Sequence, residues 1–331
     1  MIPTSVARAF SGRTALVTGG TGLIGREVVR RLCDFGADVR SVSLDDIPTD
    51  PRAEQVKADL RNFDTCRDLT QGMDFVFHIA GIKGSVDVTK AQPASTFVPL
   101  LLMNTAVLEA ARVNGVARLV YTSTIGTYAA ADEFREDDYD LLSMPMDVYP
   151  GWAKRMAEMQ IAAYAEQYGS DNFAVVRPCN VFGPGDNFDP SSAMVVPALM
   201  ARWAGGERPL KVWGDGSAVR DFAFATDLAE GIILALHHGT RNSFVNLGGQ
   251  AHSVKELVET LAEVIGLDFE FDTSKPAGYP LRIMESTRAR DWIGYMPQHD
   301  LKSGLKITWE WYTANPNVHR ARRNYFQDLE K

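Results

Sequence analysis

The sequence predicts an α/β fold, a doubly wound parallel sheet with a smaller interleaved lobe, and three observations predict it. Short apolar segments alternate with amphipathic ones from residue 14 onward. The first of them runs straight into a glycine-rich turn. The rhythm breaks only after residue 180, at Gly183, Pro184, Gly185 and Pro190. Parallel strands covered by helices on both faces read as continuous apolar runs, and regular strand–helix alternation is how such a sheet is wound.

Residues 14–18 (TALVT) give the first strand, and residues 26–35 a helix with Val28, Val29 and Leu32 at helical spacing. Residues 39–44, 55–58 and 75–79 read as the second, third and fourth strands. An amphipathic helix at 104–113, a strand at 118–122, a long helix at 152–168 and a sixth strand at 173–177 continue the pattern. Two strand-like pieces, 210–213 and 244–247, return inside the second half, so that half is interleaved with the main sheet. The charged stretch 319–331 reads as an exposed end.

Composition narrows the function classes. The chain has 331 residues, 45% hydrophobic and 23% charged, and 34 Lys+Arg against 42 Asp+Glu give a net charge of −8. Disordered, coiled-coil and collagen-like chains are excluded, and a fold-wide attraction to nucleic acid or anionic lipid is not expected. Cys33, Cys66 and Cys179 lie far apart with no metal spacing, as for reduced buried thiols. With no apolar run approaching 18 residues, the expectation is a soluble cytoplasmic protein with no membrane partner.

The turn Thr18-Gly19-Gly20-Thr21-Gly22-Leu23-Ile24-Gly25 sits between a buried strand and a helix. Gly19 permits the tight turn, Gly22 lets a pyrophosphate approach the backbone, and Gly25 lets the helix pack closely on the strand. The helix N-terminus then offers free N–H groups to phosphate. Asp45, 20 residues beyond Gly25, stands where an acidic residue bonds an adenosine ribose 2′-hydroxyl; this favours NAD, with NADP as the alternative and Ser43 as the rival occupant of that position. Asp59 and Leu60 follow the third strand, at the adenine edge.

These residues resemble a family. Thr18–Gly25, Asp59-Leu60, His78-Ile79-Ala80-Gly81, Asn104, Thr122-Ser123-Thr124 and Ala153-Lys154-Arg155-Met156 match the extended short-chain dehydrogenase/reductases of the nucleotide-sugar epimerase/dehydratase group. So do the run from Asn180 to Phe188, Val196-Pro197-Ala198-Leu199, Trp213-Gly214-Asp215-Gly216, Arg220-Asp221-Phe222, Asp227-Leu228-Ala229 and Lys275-Pro276. The likeness covers residues 12–315 and is greatest to the GDP-L-fucose synthase branch. It implies an NAD(P)-binding Rossmann domain at 12–180, in which Gly19, Gly22, Leu23, Ile24, Asp45, Asp59, Leu60, Ala80 and Lys154 meet the cofactor. It implies that 181–331 is mainly a nucleotide-sugar lobe, and that the chain forms a homodimer through the helices at 104–113 and 152–168.

The resemblance also implies the chemistry: hydride transfer at a sugar carbon, with a Tyr moving the hydroxyl proton, a Lys four residues later, and a Ser or Thr sharing the proton. Thr124 and Lys154 match, but position 150 is Pro, and Tyr149 lies one residue early, about 100° around a helix. Fucose synthases add a Cys and a His, where this chain has Gly126 and Met194; dehydratases add Asp-Glu, where it has Ile125-Gly126. For the substrate, Arg220 matches the diphosphate position, with Asn180, Arg202, Arg282 and Lys83 as further contacts.

The expectation is therefore an NAD(P)-dependent oxidoreductase acting on a nucleotide-activated sugar, GDP-hexose or GDP-heptose, at C4. Thr124 and Lys154 serve the reacting centre, with Tyr149 as proton carrier if the turn before its helix is distorted. The alternatives are an epimerase or 4,6-dehydratase with atypical acid and base, and a dinucleotide-binding protein that has lost catalysis.

Overall fold

The structure is a computed structural model that describes residues 2–82, 84, 86–316 and 318, with 86 and 87 in their backbone alone. Lys83 and the stretch 319–331 lie outside the described residues.

In chain order the first strands are β1 (Thr14–Thr18), β2 (Asp38–Ser43), β3 (Glu54–Lys57), β4 (Phe75–His78), β5 (Arg118–Thr122), β6 (Glu133–Phe134) and β7 (Phe173–Pro178). They are followed by β8 (Asn180–Phe182), β9 (Leu210–Trp213), β10 (Val219–Phe224), β11 (Phe244–Leu247), β12 (Gln250–Ser253), β13 (Phe269–Asp272) and β14 (Leu281–Met284). The helices are α1 (Thr4–Arg8), α2 (Leu23–Asp34), α3 (Phe63–Thr70), α4 (Val86–Ala91), α5 (Pro93–Val113) and α6 (Val148–Tyr168). The last five are α7 (Val195–Ala204), α8 (Ala225–His238), α9 (Val254–Ile265), α10 (Thr287–Ile293) and α11 (Leu301–Ala314).

Seven parallel strands form the main sheet in the order β11-β7-β5-β4-β1-β2-β3. The order reverses direction between β1 and β4, and a crevice opens beyond the strand ends there. One apolar core lies on each face, around Val28, Ile232 and Phe77 on one side and Leu108, Leu119 and Ala157 on the other. The strand at 244–247 joins the main sheet beside β7. The strand at 210–213 instead pairs with β13 in a separate ribbon. β12, β10, β14 and β6 form the small sheet, with β8 pairing β10. Phe182, Met200, Leu257 and Leu305 give that lobe its own core.

Three helices begin earlier than the sequence pattern suggested, α2 by three residues, at Leu23. The helix expected at 104–113 starts at Pro93 and carries Pro99 within it, so Asn104 lies mid-helix and does not open it. Prolines at 93 and 99 hide that continuity, because each removes a donor from the periodic pattern. By length and composition this helix could cross a membrane, contrary to the expectation of no such run, but half of its apolar window is buried in the core. The helix expected at 152–168 begins at Val148, with Pro150 in its first turn where a missing N–H costs nothing.

The buried face of α6 carries charge. Arg177 on β7 is fully buried and meets Glu158 with two bonds, Nε to Oε1 at 3.0 Å and Nη2 to Oε2 at 2.6 Å. The rings of Tyr139 and Phe244 lie 3.9 and 3.6 Å from that guanidinium. Arg155, also fully buried, donates to the carbonyls of Thr127 (2.7 Å), Leu141 (2.9 Å) and Ser143. Glu158→Ala strands a buried guanidinium and should lower stability by about 3–5 kcal/mol in urea unfolding, with part restored by adding Arg177→Met. A loss under about 1 kcal/mol would contradict this.

Candidate active site

A cleft of about 920 Å³ lies at the strand ends between the two lobes, lined by the glycine turn, the ends of β2, β4 and β5, the start of α6 and the segment 186–190. The glycine turn explains its floor. Gly19 has φ +71°, and a Cβ there would sit 2.8 Å from the Ala80 Cα, so the two loops touch backbone to backbone. Thr18 Oγ1 accepts the N–H groups of Ile79 and Ala80, each at 3.1 Å, which fixes that approach. Gly25 serves a different contact from the one expected: a Cβ there would meet Gly19 and Gly20, so the first turn of α2 folds onto the loop itself.

Gly22 caps α2 without a side-chain bond, and no acidic residue stands in the first turn. Its N–H groups and positive dipole end therefore suit a pyrophosphate beside Gly22, Leu23 and Ile24, which all line the cleft. At the end of β2, Ser43 Oγ accepts the Thr21 N–H at 3.1 Å and is committed to the turn. Asp45 lines the cleft, and among the described residues its buried Oδ1 has no hydrogen-bond partner. A ribose hydroxyl would supply the donor that this oxygen lacks. Asp59 and Leu60 also line the cleft, with Asp59 held by Arg61 at 2.9 Å. The residues present fit a dinucleotide.

Beneath the cleft runs a buried polar chain. His78 Nδ1 lies 2.8 Å from Thr18 Oγ1, and its Nε2 lies 3.0 Å from Asn104 Oδ1. Since Thr18 Oγ1 already accepts two N–H groups, its own proton goes to Nδ1, and Nε2–H donates to Asn104. Asn104 then donates to Tyr121 Oη at 3.0 Å. Complete burial, with the Lys154 charge nearby, pushes the His78 pKa down to about 3, so this imidazole is neutral.

Lys154 Nζ donates to the Thr122 carbonyl at 2.7 Å and lies 5.0 Å from the Tyr121 ring centre. Burial brings its pKa down to about 8, partly opposed by Glu158. Thr124 lines the same cleft and accepts the Gly126 N–H at 3.2 Å. Tyr149 does not join them. It is half exposed, its ring packs edge-on against Phe97, and Pro150 faces the cleft in its place. The turn before α6 is not distorted enough to undo the one-residue rotation.

Asp147 also lines the cleft, and the sequence reading missed it. Its signal was the spacing of seven residues to Lys154, two helical turns along one face. The contacts of buried Arg155 and Arg177 and of partly buried Glu158 were likewise missed, since their partners are not adjacent in the chain.

The expected sugar-side residues separate. Asn180 Nδ2 donates to the Asp221 carbonyl at 3.0 Å and ties β8 to β10. Arg202 is engaged by Glu207 at 2.8 and 2.5 Å and by the Lys211 carbonyl at 2.6 Å, which leaves it little to offer a substrate. Arg220 and Arg282 stand opposite each other in the β10–β14 register, with His252 opposite Arg220 on β12. Among the described residues neither arginine is paired with a carboxylate. Burial, and then Arg282, lower the Arg220 pKa, and Arg282 Nε is buried with no hydrogen-bond partner among the described residues. Neither lines the 920 Å³ cleft itself.

Fold and site together define a dinucleotide-dependent enzyme of the short-chain dehydrogenase/reductase type. Residues 15–248 match the NAD dependent epimerase/dehydratase family, and the chain belongs to it. It is 30% identical over 322 residues, 92% of this chain and 98% of the relative, to a dTDP-4-dehydro-6-deoxy-D-allose reductase of Streptomyces bikiniensis. It is also 30% identical over 321 residues, 93% and 94% of the two chains, to a probable GDP-L-fucose synthase of Oryza sativa subsp. japonica. Among solved structures, an epimerase from Methanothermobacter thermautotrophicus superposes with a TM-score of 0.84 at 27% identity, over 96% of this chain and 97% of that one. A dTDP-glucose 4,6-dehydratase from Streptomyces venezuelae, solved with NAD and TYD bound, gives 0.78 at 25% identity over 92% and 98%.

The buried Lys154 predicts a pH signature. Its folded pKa of about 8 lies below the ordinary 10.5, so between those values only the unfolded chain holds the proton. Wild-type stability should therefore rise relative to Lys154→Met from pH 8 toward 10.5, by about 3 kcal/mol in all. Parallel pH profiles for the two proteins would contradict the burial of a titrating amine.

Proposed function

We propose that this protein is an NAD-dependent oxidoreductase that transfers a hydride at C4 of a nucleotide-activated sugar, a GDP-hexose or GDP-heptose. The observation that carries this is one cleft joining the uncapped start of α2, the open oxygen of Asp45, and the Thr124–Lys154 pair. Bound there, NAD supplies the hydride acceptor, and its reduced form the donor. Gly22, Leu23 and Ile24 would hold its pyrophosphate, and Asp45 its adenosine ribose. Lys154, fixed by the Thr122 carbonyl, places a cation beside the reacting hydroxyl, and Thr124 Oγ1 hydrogen-bonds it.

Gly126 and Met194 stand where fucose synthases carry their epimerising pair, and Ile125-Gly126 where dehydratases carry Asp-Glu, which supports redox chemistry alone. The Arg220–Arg282 pair, two neighbouring guanidiniums without carboxylates, suits the sugar diphosphate. Lys83 is a further phosphate contact in the same reading. Likeness to a fucose synthase favours GDP, and likeness to a dTDP-sugar reductase makes dTDP the rival base. The reading also places the enzyme in the cytoplasm as a homodimer across α5 and α6, where Val98, Leu102 and Met159 are exposed.

Arg220→Ala should weaken GDP binding about 30- to 4000-fold in calorimetry while NAD binding holds. A change under twofold for GDP, dTDP and UDP alike would remove Arg220 from the substrate site. Gly22→Asp, which sets an anion against the pyrophosphate, should abolish NAD binding; undiminished NAD affinity would overturn the cofactor assignment.

A further inference from the structure

We propose that Asp147 is the proton carrier of this active site, in place of the tyrosine that the chain lacks at position 150. The inference rests on the oxidoreductase reading above and adds the group that completes it. Hydride transfer at a carbinol carbon needs a partner for the hydroxyl proton, and the tyrosine at 149 points its ring at Phe97, outside the cleft. Asp147 is at the start of α6, two turns before Lys154, and lines the cleft with Thr124, Pro150 and Lys154. Its side chain is turned toward Gly126 and makes no hydrogen bond that caps the helix it precedes.

Gly126 explains how the carboxylate comes to lie there. A Cβ on residue 126 would sit 2.9 Å from both Cβ and Cγ of Asp147. The Asp147 side chain thus fills the space that any larger residue at 126 would take. The backbone fixes the arrangement: the Asp147 N–H donates to the Gly126 carbonyl at 3.3 Å, and Gly151 brings the first turn of α6 against the same carbonyl. A missing side chain at 126 and a missing tyrosine at 150 are then one change: the loop drops a group, and a carboxylate one turn earlier on the helix takes its place.

In the oxidative direction the carbinol carbon gives its hydride to NAD+. The hydroxyl proton passes to the Asp147 carboxylate, and the C–O single bond becomes a carbonyl. In the reductive direction the protonated carboxyl returns the proton to the oxygen as the carbon receives hydride. Lys154 and Thr124 hold the oxygen in both directions.

Three variants test this: Asp147→Asn, Asp147→Ala and Gly126→Ala. Each is assayed with NAD(H) and the nucleotide sugar that the wild type turns over, starting with a GDP-4-keto-6-deoxyhexose, and NAD binding is measured in parallel by calorimetry. Asp147→Asn should lose about 10²- to 10⁴-fold in kcat with NAD affinity within about twofold. Added formate should restore Asp147→Ala at least about tenfold, as a free carboxylate takes up the proton, and Gly126→Ala should lose at least about tenfold because its methyl displaces Asp147. An Asp147→Asn rate within threefold of wild type, or an Asp147→Ala rate indifferent to formate, overturns the assignment while leaving the oxidoreductase reading intact. Solvent deuterium entering C3 or C5 with wild type but not with Asp147→Asn would assign Asp147 to carbon deprotonation and likewise overturn it. A wild type that binds NAD and turns over no nucleotide sugar overturns both readings together.

Discussion

The site depends on the contact between the first turn of α6 and the loop that follows β5. There Gly151 and Gly126 let backbone meet backbone: a Cβ on Gly151 would lie 2.6 Å from the Gly126 carbonyl oxygen. With the helix held that close, Lys154 reaches the Thr122 carbonyl at the end of β5, and Asp147 reaches the cleft over Gly126. Thr124 lies in the loop between them. Separate the two segments by one methyl, and lysine, threonine and carboxylate no longer share one opening.

Buried charge keeps the contact in register. Arg155 takes three carbonyls of the 127–143 segment, and Glu158 joins Arg177 on β7 while accepting the Ser123 hydroxyl. Such pairs contribute little net stability but heavily penalise any arrangement that separates them, so they select one geometry for the loop. Beneath the cleft, the chain Thr18–His78–Asn104–Tyr121 links β1, β4, α5 and β5. A neutral His78 lets that chain stay buried beside Lys154. That buried network underlies the cleft, and the chemistry is left to Thr124, Asp147 and Lys154, which line it.

Much of the fold was legible in the sequence because local rules dominate it. The apolar run 14–18, the turn through Gly22 and the strands at 75–79, 118–122, 173–177 and 244–247 are each decided within a few residues, and all of these strands join the main sheet; the strand at 210–213 does not. Helix α5 escaped because Pro93 and Pro99 interrupt a pattern that tertiary packing completes. Gly19 and Asp45 were legible through their spacing, Thr124 and Lys154 through the family resemblance, and all four line one cleft. Arg202 was misleading: a phosphate-binding type of residue, it is held by Glu207, and no spacing rule announces that pair. Glu158 and Arg177 meet only because α6 packs on β7. The fate of Tyr149 turned on one residue of helical phase, which the backbone resolves and composition does not.

The central claim is that this cleft moves a hydride between a sugar carbon and NAD. The most direct test loads the protein with NAD, adds a GDP-hexose carrying deuterium on C4, and follows the label by mass spectrometry. The account predicts that deuterium leaves the sugar and appears on the nicotinamide ring, one label for each sugar oxidised. Consumption of the sugar with its label retained, or with the label lost to water and none on the nicotinamide, would contradict it.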